Sequence, residues 1–185
     1  MNQPAFRDAC YEDLLAVPKN QVAEILNGQI HTHPRPASRH ARASSVLGGR
    51  IGNPFDFGAD GPGGWWIIDE PELHLGPQVM VPDLAGWRRE RLPVYPDVPW
   101  FELSPDWVCE VLSPSTAQTA RRIKMPLYAQ HGVTHLWLID PVLKTLEGYQ
   151  LQNRKWLLLA TLRQDDPVQL APFEAVEFPL SALWD

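Results

Sequence analysis

The chain has 185 residues, enough for one domain with a sizeable core and too few for two full ones. Hydrophobic residues make up 44% and include eight tryptophans, which excludes a disordered chain, and no apolar run nears the roughly 20 residues of a membrane helix. The formal charge of −6 argues against a general nucleic-acid coat protein. Two cysteines, Cys10 and Cys109, with no CxxC, exclude a disulfide framework or a cysteine zinc site. With no signal-peptide pattern in "MNQPAFRDACYEDLL", they point to a reducing cytoplasm.

In chain order, "YEDLLAVP" (11–18) reads as a short helix stopped by Pro18. "QVAEILNGQIHTH" (21–33) places apolar residues on both sides of Asn27-Gly28, a two-residue hairpin signal. "SRHARASSVLGGRI" (38–51) reads as a helix capped by Ser38 and weakened by Gly48-Gly49. "NPFDFGADGPGG" (53–64) is a glycine-rich loop without the lysine or spacing of a phosphate-binding loop. "WWIID" (65–69) and "ELHL" (72–75) make one bent strand or two, and "QVMVPDLAGW" (78–87) a further strand. The proline-punctuated stretch 88–105 is a surface loop.

"DWVCEVL" (106–112) is the central buried strand, and residues 117–132 a helix kinked or restarted by Pro126 and ended by Gly132. "HLWLID" (135–140) is a second buried strand, 144–162 a hairpin about Gln152-Asn153, and "FPLSALW" (178–184) a short helix. Strand, helix, strand in the middle of the chain implies a crossover and an α/β fold with a mixed sheet.

Glu110 lies among core residues, on the face of Val108 and Leu112 if side chains alternate. An ionised carboxylate there costs several kcal/mol (order of magnitude) unless something compensates it. Asp83 lies in the strand before, at the bend set by Pro82. Two approaching carboxylates stay charged only with a cation between them, for which a hard divalent metal that also takes the Val111 carbonyl is the simplest candidate. On the following helix Ala120, Lys124 and Tyr128 share a face, so Lys124 is placed either to turn toward this site or to run out to solvent.

"VPDLAGW", "WVCEVLSPST", Lys124, "LYAQHGV" and "LWLIDP", with "AEILNGQ" and "GGWWIIDEPELHL", resemble the bacterial Uma-two family of restriction-endonuclease-type proteins in the PD-(D/E)XK nuclease superfamily. The resemblance runs from about residue 11 to 184. It implies a single nuclease-like domain (1–185), with a restriction-endonuclease-like αβββαβ core, an N-terminal hairpin and a C-terminal β-hairpin. It further implies Mg2+ or Mn2+ as cofactor and DNA as substrate. Asp83 would be the first metal ligand, Glu110 the acid of the (D/E)XK element, Lys124 the lysine brought from the helix, and Glu24 a fourth site residue. In the usual motif the lysine stands two after the acid, where this chain has Leu112. Ala120 replaces an acidic residue frequent four positions before the lysine, and Asn27 replaces a frequent Asp.

The basic residues Arg35, Arg39, Arg42 and Arg50 form one group; Arg88, Arg89 and Arg91, with Arg121 and Arg122, are candidate DNA-backbone contacts, and His40 a candidate phosphate contact. His31 and His33 share a strand face and read as a solvent-facing edge for want of a third metal ligand. Ser113, Ser115 and Thr116 read as turn and cap residues, Cys109 as core. Trp87 and Trp100 flank the arginine-rich loop and read as buried or base-stacking. The apolar "WLLLATL" is a candidate homodimer surface. The reading is a metal-dependent DNA endonuclease, and its rival an inert nuclease-fold binding or assembly protein.

Overall fold

The computed structural model describes residues 7–34 and 37–184, so Arg35 and the ends of the 1–185 span lie outside the described residues. After helix α1 (Tyr11–Leu15), strands β1 (Gln21–Leu26) and β2 (Gln29–Pro34) pair about Asn27 and Gly28, whose φ angles of 52° and 76° give the turn that this dipeptide favours. Helix α2 (Ser38–Ile51) follows. Ala37, not Ser38, stands at its cap position and no side chain caps it, so the cap expected from Ser38 is off by one. Gly48 lets this helix lie close on the sheet, since a Cβ there would stand 3.2 Å from Asp69 Oδ1. The glycine-rich loop begins as a wide turn, Gly52–Asp56, that prolongs α2.

Strands β3 (Trp65–Asp69), β4 (Leu73–Leu75), β5 (Gln78–Met80) and β6 (Leu84–Arg88) then divide between two sheets. The single strand expected over 78–87 is two strands: Pro82 lacks the N–H to continue a ladder, and the chain crosses from one sheet to the other at Val81–Asp83. β7 (Trp107–Val111) is followed by a helical stretch made of α3 (Ala117–Thr119), a π-type turn (Ala120–Lys124) and α4 (Met125–Gln130). The wide turn directly precedes Pro126, which cannot donate to the carbonyl four residues back and crowds it. Gly132 ends the stretch at φ 78°. β8 (His135–Asp140), β9 (Thr145–Gln152) and β10 (Lys155–Arg163) follow. Gln152 pairs with Lys155, so the turn is Asn153-Arg154 (φ 50° and 62°), one residue later than expected. The last segment, expected as a helix, is a short strand, β12 (Phe178–Pro179), paired with β11 (Pro167–Val168), then one 3-10 turn, Leu180–Leu183.

The small sheet has the order β2-β1-β5-β4, and the large one β10-β9-β8-β7-β6-β3. In the large sheet only β7 and β8 are parallel, the pair joined through the helical stretch. The αβββαβ core is thus α2–β3–β6–β7–(117–130)–β8, with β4 and β5 an excursion into the hairpin's sheet. One core packs α2 on the face of Leu84, Trp107, Cys109, Val111 and Trp137, closed by Phe173 and Leu183. The other packs the 117–130 stretch and the small sheet on the face of Ala85, Trp87, Val108, Leu112 and Leu138. Trp87 is fully buried and donates to the Leu103 carbonyl, which rules out base stacking; Trp100 packs on His74 and Tyr11. No helix among the described residues is long and apolar enough to cross a membrane.

Candidate active site

Glu110 is on the second core's face, as alternation along β7 requires, and its compensation comes from the helix packed there. Lys124 is 5% exposed and places Nζ 2.6 Å from Glu110 Oε1, 2.9 Å from Glu24 Oε1 and 3.0 Å from the Val81 carbonyl. Tyr128, one turn on, donates its hydroxyl to the same Glu110 oxygen at 2.5 Å. Glu24 Oε1 also accepts the Val81 N–H (2.8 Å), so Val81 binds both members of the Glu24–Lys124 pair. Lys124 therefore turns inward, and it is the partner of Glu24.

Asp83 sits where the chain enters β6. Its Oδ2 accepts the Val111 N–H at 2.7 Å, and Oδ1 lies 3.1 Å from His40 Nε2. The Val111 carbonyl lies beside the same imidazole. His40 is buried on the first turns of α2, its Nδ1 enclosed without a partner. Asp83, Glu110, Lys124, Glu24 and His40 line one cleft of about 340 Å³. So do His31 and His33, which corrects the expectation of a solvent-facing edge: β2 is an edge strand paired only with β1, but these side chains line the cleft, with His33 Nε2 4.0 Å from Glu24 Oε2. Ser113, Ser115, Thr116 and Thr119 also line it, as does Ala120, which stands where the acidic residue is missing.

Burial, with Asp83 and Glu24 close by, pushes the Glu110 carboxyl up to about 7 against the pull of Lys124. Burial disfavours the Lys124 ammonium, but Glu110 and Glu24 outweigh it and hold the lysine charged well above its ordinary range. The His40 imidazole is raised: burial opposes its charge, and Asp83, with the Val111 carbonyl and Glu110, more than restores it. Burial pushes the Cys109 thiol well up on the opposite face of β7, as a core residue requires.

The donors fit a hard divalent cation in kind. Asp83 lines the cleft, and both described bonds of Glu110 fall on Oε1 and leave Oε2 without one. Among the described residues no three His, Cys, Asp or Glu side chains already form a metal cage, because Lys124 stands between Glu24 and Glu110.

Four of the five arginines expected at the DNA backbone have protein partners. Arg89 is paired to Asp56 at 2.7 Å and lies over Trp66, Arg91 is paired to Asp106, and Arg121 to Glu147. Arg88 lies over Trp65. None of these four, nor Arg122, lines the cleft among the described residues, although Arg121 and Arg122 lie on the same turn as the cleft residues Ala120 and Lys124. Sequence reasoning gave Tyr128 a face without a role and missed Val81, whose contributions are backbone groups that no side-chain pattern reports.

A mixed sheet with strand carboxylates meeting a helical lysine defines a protein of the restriction-endonuclease-like fold class. The chain belongs to the Uma2 family, described as "Putative restriction endonuclease", whose model matches residues 9–181. Its fold is similar to a crystal structure of "a putative nuclease belonging to DUF820" from Anabaena variabilis ATCC 29413 (TM-score 0.71, 22% identity, covering 94% of this chain and 96% of that one). No protein of curated function matches the chain.

Proposed function

We propose that the protein is a divalent-metal-dependent endonuclease that hydrolyses DNA phosphodiester bonds, with Mg2+ or Mn2+ as cofactor. Asp83 and Glu110, with the Val111 carbonyl, would hold the ion, which when bound acidifies water and neutralises phosphate charge. Lys124 offers a fixed positive charge at the base of the cleft, and Glu24 keeps it there. The supporting observation is the convergence of Asp83, Glu110 and a buried, charged Lys124 on one open cleft. The ion pairs held by Arg89, Arg91 and Arg121 shift DNA contact from these arginines to the cleft's own walls, His40 included. Supercoiled plasmid incubated with Mg2+ or Mn2+ tests the reading: wild type nicks it and Asp83→Ala does not. Equal inactivity of the two overturns it.

A second reading, an inert nuclease-fold binding or assembly protein, is favoured by the self-neutralised site, by Ala120, and by the edge strand β10. Leu157, Leu158 and Leu159 on that strand are 46%, 50% and 36% exposed. An edge strand of this kind suits pairing with a second copy, and a homodimer would also bring two sites to two strands. Titration calorimetry with Mn2+ separates the readings: heat of binding supports the enzyme, and none supports the inert protein.

A further inference from the structure

If the cleft hydrolyses phosphodiesters, some group must take the proton of the attacking water, and Lys124 is unsuited. An ammonium has three N–H donors and no lone pair. Those of Lys124 have three acceptors within 3.0 Å, on Glu24, Glu110 and Val81, and its proton is held well above neutrality. His40 is unsuited as well, because Nε2 faces Asp83 and Nδ1 is enclosed.

His33 is oriented differently. Its Nδ1 lies 3.2 Å from the Pro34 carbonyl, which can only accept, so in the neutral imidazole Nδ1 carries the proton and Nε2 the lone pair. His33 lines the cleft, and its Nε2 stands 4.0 Å from Glu24 Oε2. The gap is too long for a direct hydrogen bond and within the span of one water touching both atoms at about 2.8 Å. Glu24 is the carboxylate that holds Lys124, so a water seated there adjoins the charged base of the site.

We propose that His33 is the general base of the reaction, its Nε2 accepting the proton of a water held against Glu24 Oε2. This role rests on the nuclease reading. As the water oxygen bonds to phosphorus, its proton passes to Nε2. The bond from phosphorus to the leaving sugar oxygen breaks, and that oxygen takes a proton from bulk water. His33 then returns its proton to solvent. The charged or titratable groups around this imidazole are Glu24 on β1, His31 on β2, His40 on α2, Asp83, Glu110 and Lys124.

The test compares wild type, His33→Ala and His33→Gln on a DNA duplex with Mn2+, after circular dichroism and melting show that the variants fold. Both variants should lose about 100-fold in kcat, in the range of general-base catalysis, with little change in KM. The acid limb of the pH–rate profile should vanish, free imidazole should restore cleavage to His33→Ala, and Mn2+ uptake should persist. A His33→Ala variant within about twofold of wild type and with the same profile overturns the role while leaving the nuclease reading intact. So does a loss confined to KM. A wild type that cleaves nothing overturns both.

Discussion

Two ion-pair clusters hang from the same wide turn of the helical stretch, and they have opposite characters. Lys124 points into the protein, where it and Glu24 are 5% and 2% exposed. Arg121, three residues earlier, grips Glu147 with two bonds of 2.7 and 2.9 Å but is 40% exposed, and Tyr149 shares the same carboxylate. Water can take over from Arg121; nothing but protein or a cation can take over from Lys124. The buried cluster is a commitment of the fold, the exposed one a surface fastening.

Substitution should expose the contrast most strongly at Lys124. Lys124→Met leaves Glu24 and Glu110 buried without their counter-charge, at a cost of about 3–5 kcal/mol in urea denaturation at pH 8. The cost should shrink toward pH 5, where the freed carboxyls take up protons; a cost independent of pH would mean that the lysine only packs. Tyr128→Phe should cost less, about 1.5–3 kcal/mol, through the lost hydroxyl bond to Glu110.

The Glu110 carboxyl itself gives a pH signature. Raised from 4.5 to about 7, it binds more protons in the folded than in the unfolded protein between those values. Its contribution to stability is therefore fully present below 4.5 and lost as pH rises through about 7. Melting temperatures of metal-free wild type and Glu110→Gln should diverge across that window, the variant showing the flatter profile. If Glu110 holds the proposed cation, which needs the ionised form, Mn2+ uptake should strengthen through the same window and release protons, which calorimetry in buffers of different ionisation heat would register.

At the exposed cluster, Arg121→Ala should cost no more than about 1 kcal/mol and leave Mn2+ uptake unchanged; a larger loss would erase the distinction between the clusters. The smallest effect is expected away from both, at Arg154, which occupies a left-handed position (φ 62°) in the β9–β10 turn. Arg154→Gly should stabilise by up to about 1 kcal/mol in thermal melts, glycine meeting no Cβ penalty there.

The order of elements and the buried side of Glu110 were legible because alternation and helical spacing are local rules. The inward lysine was legible as one of two options, since an apolar helix face favours neither burial nor a run to solvent. The division of 65–88 between two sheets was not legible: Pro71 and Pro82 mark breaks, but which sheet each fragment joins is decided by distant partners. His31, read as a solvent-facing edge residue, is the instructive correction. Once the turn is set at Asn27-Gly28, pairing alone places His31 opposite Glu24, so its place in the cleft follows from the hairpin register. His40 and Val81 have no such signal, because their roles arise from contacts with strands and helices far along the chain.

The crossing at Val81–Asp83 has a mechanical consequence. Within three residues the chain leaves one sheet, grasps Lys124 and Glu24 through the backbone of Val81, and delivers Asp83 to Val111 in the other sheet. The candidate site is thus built on the seam between the two sheets. Any strain that made the sheets slide past one another would pull the two acids out of step before it disturbed either core, so loss of chemistry should be the earliest symptom of the seam giving way.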